Sequence, residues 1–158
     1  MATTHREQPW TDVAPDHGRI LLLTANPISQ AIFTIGTAVG RLVVVLADDE
    51  DGPGLASLGP AEGDAVVLCD HDAPDVPQFL RDALASPASY VAMMASRRRA
   101  EGLLTDLEAE GVPGLEKLHV PAGHDLGGKA PGEIALSVVA EVVAESYQRP
   151  GGAMRGPR

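Results

Sequence analysis

The chain has 158 residues, enough for one domain whose core needs no metal or disulfide to hold it together. Its formal net charge of −10 argues against nucleic acid as a partner, because phosphate binding needs clustered Lys and Arg. A single cysteine, Cys69, excludes an internal disulfide and fits a cytoplasmic protein. All apolar runs are far shorter than the ~20 residues of a spanning helix, so no membrane partner is expected.

The pattern predicts a polar tail over residues 1–18, an ordered domain over residues 19–148 and a second loose tail over residues 149–158. Within the domain, short runs rich in branched apolar residues alternate with longer amphipathic segments. The short runs predict strands at 19–24, 42–47, 65–69, 90–94 and 117–120. The longer segments predict helices at 28–39, 75–85, 97–110 and 131–148, of which the first begins at Asn26-Pro27.

Strands that alternate with helices are typical of βαβ units, so the sequence predicts an α/β fold. The expected architecture is a Rossmann-like three-layer α/β/α domain with a mainly parallel sheet. Such sheets bind their ligands beyond the carboxyl ends of the strands. Candidate site residues are therefore sought where each predicted strand ends.

The turn after the first strand reads TANPIS, where a dinucleotide-binding fold has G-x-G-x-x-G. No glycine is present, and Pro27 removes one of the amides that would face a pyrophosphate. Two interpretations remain: a scaffold without a nucleotide, or a different ligand held by Asn26, Ser29 or Thr24. Asp48, after the second strand, is either a ribose-binding acid or part of a solvated acidic turn.

Three further strand ends carry candidates. Ser96 and Arg97, at the start of a predicted helix, form either an anion site or a simple helix cap with solvated arginines. His71 and Asp72, after the third strand, are either an acid–base pair or a capping turn. After the fifth strand, His124 and Asp125 are candidate catalytic groups, and the glycines around them allow a close approach of the backbone to a ligand; Gly123 and Gly127 are assigned to binding.

Other residues are expected to have no part in a functional site. Cys69 is expected to be an inert core thiol, and Glu141 is expected to be a surface acid of the last helix. His71, His124 and one aspartate could hold zinc by residue type alone. Their spacing matches no short ligand motif, so no metal site is predicted.

Three stretches resemble the Rossmann domain of the XdhC/CoxI family. Residues 90–99, YVAMMASRRR, resemble its Tyr-Ile-Gly-x-x-Gly-Ser motif with following basic residues. Residues 120–143, VPAGHDLGGKAPGEIALSVVAEVV, resemble its Pro-x-Gly-Leu-Asp-Ile-Gly-x-x-Thr-Pro-x-Glu-Ile-Ala-x-Ser-Ile-x-Ala-Glu-Ile signature. Residues 65–72, AVVLCDHD, resemble its strand that ends in Thr-His-Asp. The resemblance extends from about residue 19 to residue 145.

The resemblance implies an accessory protein that assists molybdenum cofactor handling or insertion for a molybdenum hydroxylase. It implies molybdopterin or NAD(P) as candidate cofactors, and a molybdenum hydroxylase or a separate CoxI-type domain as partner. A homodimer is also expected. Alternatives are an NAD(P)-dependent oxidoreductase and a family member recruited to another pathway as a small-molecule enzyme.

The chain departs from the family pattern in ways that put nucleotide binding in doubt. The family's Gly-x-Gly turn is rewritten as TANPIS, and Ala92 and Ala95 replace two motif glycines. His124 stands where the family has Leu. The family's N-terminal domain, which bears a cysteine, is expected to be missing here. An accessory protein without catalytic activity is therefore favoured over an enzyme.

Overall fold

A computed structural model describes residues 9–46, 54–70, 72 and 76–156. It contains a five-stranded sheet in which every pairing is parallel, and this confirms the predicted α/β architecture. The strands are β1 (Ile20–Leu23), β2 (Val43–Leu46), β3 (Ala65–Leu68), β4 (Tyr90–Met93) and β5 (Leu118–His119). β1 and β3 are buried on both faces, which explains their unbroken apolar sequences.

The strand order is β2-β1-β3-β4-β5, so the chain winds first to one side of β1 and then to the other. The winding reverses between β1 and β3. In doubly wound sheets the main ligand crevice opens at this switch point, outside the carboxyl ends of the two strands. The loops after β1 and β3 are therefore the first place to look for a ligand.

Four helices cover the sheet in two layers: α1 (Pro27–Ala38), α2 (Val76–Ala85), α3 (Arg97–Glu110) and α4 (Pro131–Ser146). One layer packs α1 and α4 against side chains such as Ile20 and Val67. The other packs α2 and α3 against side chains such as Leu21 and Val66. Alternate strand residues thus feed two separate cores, as the pleat of a strand requires.

The sequence did not predict two short 3-10 helices, Leu55–Leu58 and Leu115–Lys117. The first lies in the connection rich in Gly and Pro, and it buries Leu55 in the α2–α3 core. At the amino-terminal edge of the sheet, Arg19 and Asp64 form an ion pair of 2.6 Å that joins the starts of β1 and β3. This contact fixes the two central strands in register.

In the described ranges, no helix is long and apolar enough to cross a membrane. Residues 149–156, in the segment expected to be a loose tail, contain neither helix nor strand, and Gly151 lies against the His124 ring. The tail therefore reaches one of the predicted site residues.

Candidate functional site

The backbone of the turn after β1 has a conformation that favours glycine, although this turn contains no glycine. Thr24 has a φ of +76°, in the left-handed region where a β-branched residue is strained. Its amide donates to the carbonyl of Leu46 at 3.2 Å, and its side chain is buried. The position corresponds to the first glycine of a nucleotide-binding turn.

Asn26 occupies the start of α1 and uses its side chain within the protein. Its Oδ1 accepts hydrogen bonds from the amides of Ile28 and Ser29 at 3.0 and 2.9 Å, as predicted for a helix cap. The Ser29 hydroxyl in turn accepts from the Asn26 amide at 2.8 Å and is fully buried. The amides that a phosphate would seek are therefore already satisfied.

The same asparagine also bridges the switch point of the sheet. Its Nδ2 donates to the carbonyl of Cys69, at the end of β3, at 3.2 Å. This hydrogen bond joins the two loops between which the main crevice would open. Asn26 and Ser29, predicted as binding residues, thus form a closed internal network with Cys69.

The predicted anion site lies at the start of α3. Ser96 caps the helix by accepting from the Arg99 amide at 3.2 Å. Arg97 faces Asp125 of the loop after β5 at 3.5 Å, and both side chains are more than 80% exposed (84% and 81%). Arg99 pairs with Asp72 of the loop after β3 at 2.7 Å. The first turn of α3 therefore contacts predicted site residues in both the loop after β3 and the loop after β5.

The glycine-rich loop after β5 rests on α4. Gly123 has a φ of +95°, and a Cβ built there would lie 2.3 Å from Oγ of Ser137, so only glycine fits. Its amide donates to Glu141 at 3.2 Å, and the His124 amide donates to the Ser137 carbonyl at 3.2 Å. Gly127 has a positive φ as well, but among the described residues nothing lies within 4 Å of its built Cβ.

The expectation that Glu141 is a surface acid is wrong. Its side chain is only 12% exposed, and its Oε1 accepts a 2.5 Å hydrogen bond from the Tyr90 hydroxyl. His119 Nδ1 lies 3.6 Å from the same oxygen, and His124 Nδ1 lies 3.9 Å from Oε2. The His119 ring also stacks on Tyr90 with centroids 4.4 Å apart. We call these four side chains the Glu141 cluster.

The Glu141 cluster brings a phenol, a carboxylate and two imidazoles together between β4, β5 and α4. Burial, reinforced by the negative charge of Glu141, raises the pKa of Tyr90 far above its usual range, so the phenol stays protonated and donates. The Glu141 carboxylate lies beside both imidazoles, 3.6 Å from His119 Nδ1 and 3.9 Å from His124 Nδ1. The cluster therefore keeps the phenol proton on a hydrogen bond to a mostly buried carboxylate, with two imidazoles beside it.

Part of this cluster was visible in the sequence. Glu141 follows Ile134 by seven positions and Val138 by three, so it lies near the apolar line of the helix. A carboxylate at such a position needs a buried partner. The partners themselves, Tyr90 and His119, come from strands distant in sequence, and no local spacing links them to Glu141.

Two predicted site residues, His71 and Asp48, lie outside the described residues. Cys69 is buried as expected, and burial raises the pKa of its thiol to about 12, which keeps it protonated and unreactive. Within the described part of the chain, no group of three or more His, Cys, Asp or Glu side chains is placed to hold a metal ion.

Two cavities lie away from the predicted residues. One of about 710 Å³ opens at the amino-terminal edge of the sheet, beside His17, Glu62, Tyr90 and Glu145. The other, of about 480 Å³, is an apolar groove between α1 and α4 that includes Val39, Leu136 and Tyr147. The groove lies on the outer surface of the α1–α4 layer.

Comparison with known proteins gives the family. The model of the XdhC Rossmann domain matches residues 20–142, most of the chain. The chain belongs to the XdhC Rossmann-domain family. The match includes β1 to β5, the loop after β5 and α4 as far as Val142, and therefore contains the Glu141 cluster.

Two individual proteins are similar to this member of the XdhC family. The uncharacterized protein YqeB of Escherichia coli is 37% identical over 73 residues, which are 45% of this chain and 14% of YqeB. The crystal structure of a xanthine dehydrogenase from Bacillus halodurans has a TM-score of 0.69 at 20% identity, and the match covers 87% of this chain and 45% of that one. The chain thus spans less than half of either relative, and the second likeness concerns the fold.

Proposed function

We propose that this XdhC Rossmann domain serves as an accessory factor that assists molybdenum cofactor handling or insertion for a molybdenum hydroxylase. The observation that carries the proposal is the family match over residues 20–142. The structural relative from Bacillus halodurans is described as a xanthine dehydrogenase, which indicates the class of client. A CoxI-type domain is the second partner that we propose.

The binding edge of this proposal is the surface formed by Ser96, Arg97 and the loop containing Gly123 and Gly127. The start of α3 offers the positive end of its helix dipole and the Arg97 guanidinium to a phosphate, such as the phosphate of molybdopterin, while Ser96 already caps the Arg99 amide. The exposed Arg97–Asp125 pair contributes at most about 1 kcal/mol, so a phosphate that binds both Arg97 and the helix start displaces Asp125 easily.

Roles for the remaining predicted residues follow from their positions. Asp72 holds Arg99 at one side of the edge through its 2.7 Å ion pair. His124 and Asp125 stand at the other side, where His124 contacts the buried carboxylate of Glu141. We assign to them the polar contacts that orient the cofactor rather than the steps of a metabolic reaction.

Nicotinamide nucleotide binding receives less support from the geometry. A pyrophosphate at the first turn requires free amides at the start of α1, and the Asn26 side chain occupies those of Ile28 and Ser29. The bridge from Asn26 to the Cys69 carbonyl also narrows the crevice at the switch point. We therefore place the ligand at the α3 edge and not at the first turn.

Deleting the gene and assaying a molybdenum hydroxylase of the same cell tests this proposal. We expect loss of hydroxylase activity together with a lower molybdenum cofactor content of the purified enzyme. Complementation with the wild-type gene restores both, whereas Arg97→Ala restores them only in part. Arg81→Ala, which removes an arginine paired with Glu110 far from the edge, serves as the charge-matched control. Unchanged activity and cofactor loading in the deletion strain overturn the proposal.

A further inference from the structure

The two ring nitrogens of His124 face different surroundings. Nδ1 lies 3.9 Å from Oε2 of Glu141, so the negative charge favours the tautomer with its proton on Nδ1. Nε2 is then the lone-pair atom of the ring. This atom is buried and has no hydrogen-bond partner in the described part of the chain. A ring that faces a carboxylate with one nitrogen and leaves its other, buried nitrogen without a partner is unusual for a structural histidine.

A short segment after α4 covers that unsatisfied nitrogen. We call residues 149–152 the strap. Gly151, with a φ of +76°, lies so close to the ring that a Cβ built on it would be 2.4 Å from Nε2 and 2.9 Å from Cε1. The amide of Arg149 holds the beginning of the strap to α4 by donating to the Ala144 carbonyl at 2.9 Å. The tail predicted as loose thus contacts His124 with a residue that has no side chain.

We propose that the strap is a lid over a hydrogen-bonding site at His124. With the strap in place, Nε2 loses solvent and gains no partner, which disfavours the closed position. Once the strap lifts, Nε2 accepts a hydrogen bond, while Nδ1 still faces Glu141. The site takes a small molecule that presents an N–H or O–H donor. This inference concerns the chain alone and stands independently of any molybdenum hydroxylase.

Acylation of histidines by diethyl pyrocarbonate, followed by mass spectrometry of the full chain, measures how accessible Nε2 is. We expect wild-type His124 to react at least about tenfold more slowly than free Nα-acetylhistidine, because the strap opens only part of the time. Gly151→Ala adds a methyl group that clashes with the ring, so the strap lifts and the rate rises towards that of the free compound.

The chain offers a matched control for this substitution. Gly152→Ala adds the same methyl group one residue later, where no described atom lies within 4 Å, and it leaves the rate unchanged. Pro150→Gly loosens the strap without adding atoms, and it raises the rate to an intermediate value. Wild-type His124 that reacts as fast as Nα-acetylhistidine overturns the proposal. Equal rates for Gly151→Ala and Gly152→Ala also overturn it.

The tautomer of His124 gives a second measurement on the same protein. Long-range 1H–15N correlation spectra distinguish a protonated ring nitrogen from one that carries a lone pair. We expect the proton on Nδ1 and the lone pair on Nε2 in the wild type, and a loss of this preference in Glu141→Gln. A neutral ring with its proton on Nε2 contradicts the acceptor role. Both experiments use purified protein without a client, so their failure leaves the proposed accessory function to its own test.

Discussion

Tyr90 and Glu141 place an ionisable donor and an ionisable acceptor inside the α1–α4 side of the molecule. Their 2.5 Å hydrogen bond joins the first residue of β4 to the middle of α4. Replacing either partner leaves the other buried without its bond, which costs about 1–3 kcal/mol. Glu141 also accepts a hydrogen bond from the Gly123 amide. The same carboxylate therefore links β4 to the glycine-rich loop after β5.

This pair makes the stability of the protein fall at alkaline pH. Burial raises the pKa of Tyr90 above its ordinary value of 10.0, so the native state keeps the phenol proton that the unfolded state releases. The resulting stabilisation is complete below about pH 10 and is lost as the pH rises, at up to about 1.4 kcal/mol per pH unit. Urea unfolding from pH 9 to about pH 12 measures how steeply the free energy of unfolding falls with pH. We expect Tyr90→Phe to make this fall less steep.

Tyr147→Phe is the matched control, because Tyr147 is the second of the two tyrosines of the chain and is half exposed. We expect it to leave the alkaline slope of the wild type in place. Parallel stability curves for the wild type and Tyr90→Phe would show that the phenol proton does not contribute.

Thr24 lies in a strained backbone conformation. At a φ of +76°, a residue with a Cβ is strained by about 1–2 kcal/mol. Thr24→Gly and Thr24→Ala remove the same hydroxyl and branch, but only glycine relieves the strain. We expect urea unfolding to give a free energy of unfolding about 1 kcal/mol higher for Thr24→Gly than for Thr24→Ala. Equal stability of the two variants would contradict a left-handed backbone at this position.

Among the elements, the loop after β5 is held by its fit to α4. Gly123 and Gly127 share a positive φ, but only Gly123 approaches α4 closely. Gly123→Ala forces a methyl group against Ser137, whereas Gly127→Ala meets the backbone penalty alone. We expect Gly123→Ala to lower the free energy of unfolding by about 1–3 kcal/mol more than Gly127→Ala does.

Urea unfolding of the two alanine variants measures this difference. A double variant, Gly123→Ala with Ser137→Ala, is expected to recover part of the loss, because it removes the hydroxyl 2.3 Å from the new methyl group. Equal losses for the two glycine variants would indicate that the loop does not depend on its contact with α4.

The elements themselves were largely predictable. The unbroken apolar strands β1 and β3 follow from burial on both faces, and the caps Asn26 and Ser96 follow from the chemistry of helix starts. The Glu141 cluster was not predictable, because it depends on β4, β5 and α4 meeting at one place. The bridge from Asn26 to Cys69 escaped prediction for the same reason: the strand order sets β1 beside β3.

On the scale of the whole molecule, the outer face of the α1–α4 layer is apolar. Exposed Phe33 of α1 and Val39, directly after α1, lie on the layer that also exposes Leu136 and Tyr147. Exposed apolar groups gathered on one surface favour association with another protein surface. This face is the one that we expect a homodimer to bury.

Light scattering of the full chain tests this association. We expect a mass of about twice 16.4 kDa. Leu136→Glu, which puts a charge into the groove, shifts the protein to the monomer. Leu126→Glu changes an equally exposed leucine of the glycine loop and leaves the mass unchanged. A monomeric wild type at every concentration would contradict the dimer.

Under the proposed function, the ligand contacts the edge formed by α3 and the loop after β5, and it does not contact the switch point that Asn26 closes. A 15N NMR titration of the purified chain with molybdopterin, and separately with NADH, tests this placement of the ligand. We expect molybdopterin to shift the amide signals of Ser96, Arg97, Gly123 and Gly127, and we expect neither compound to shift those of Ala25, Asn26 and Ile28. Shifts centred on the first turn, with an unperturbed α3 edge, would contradict it.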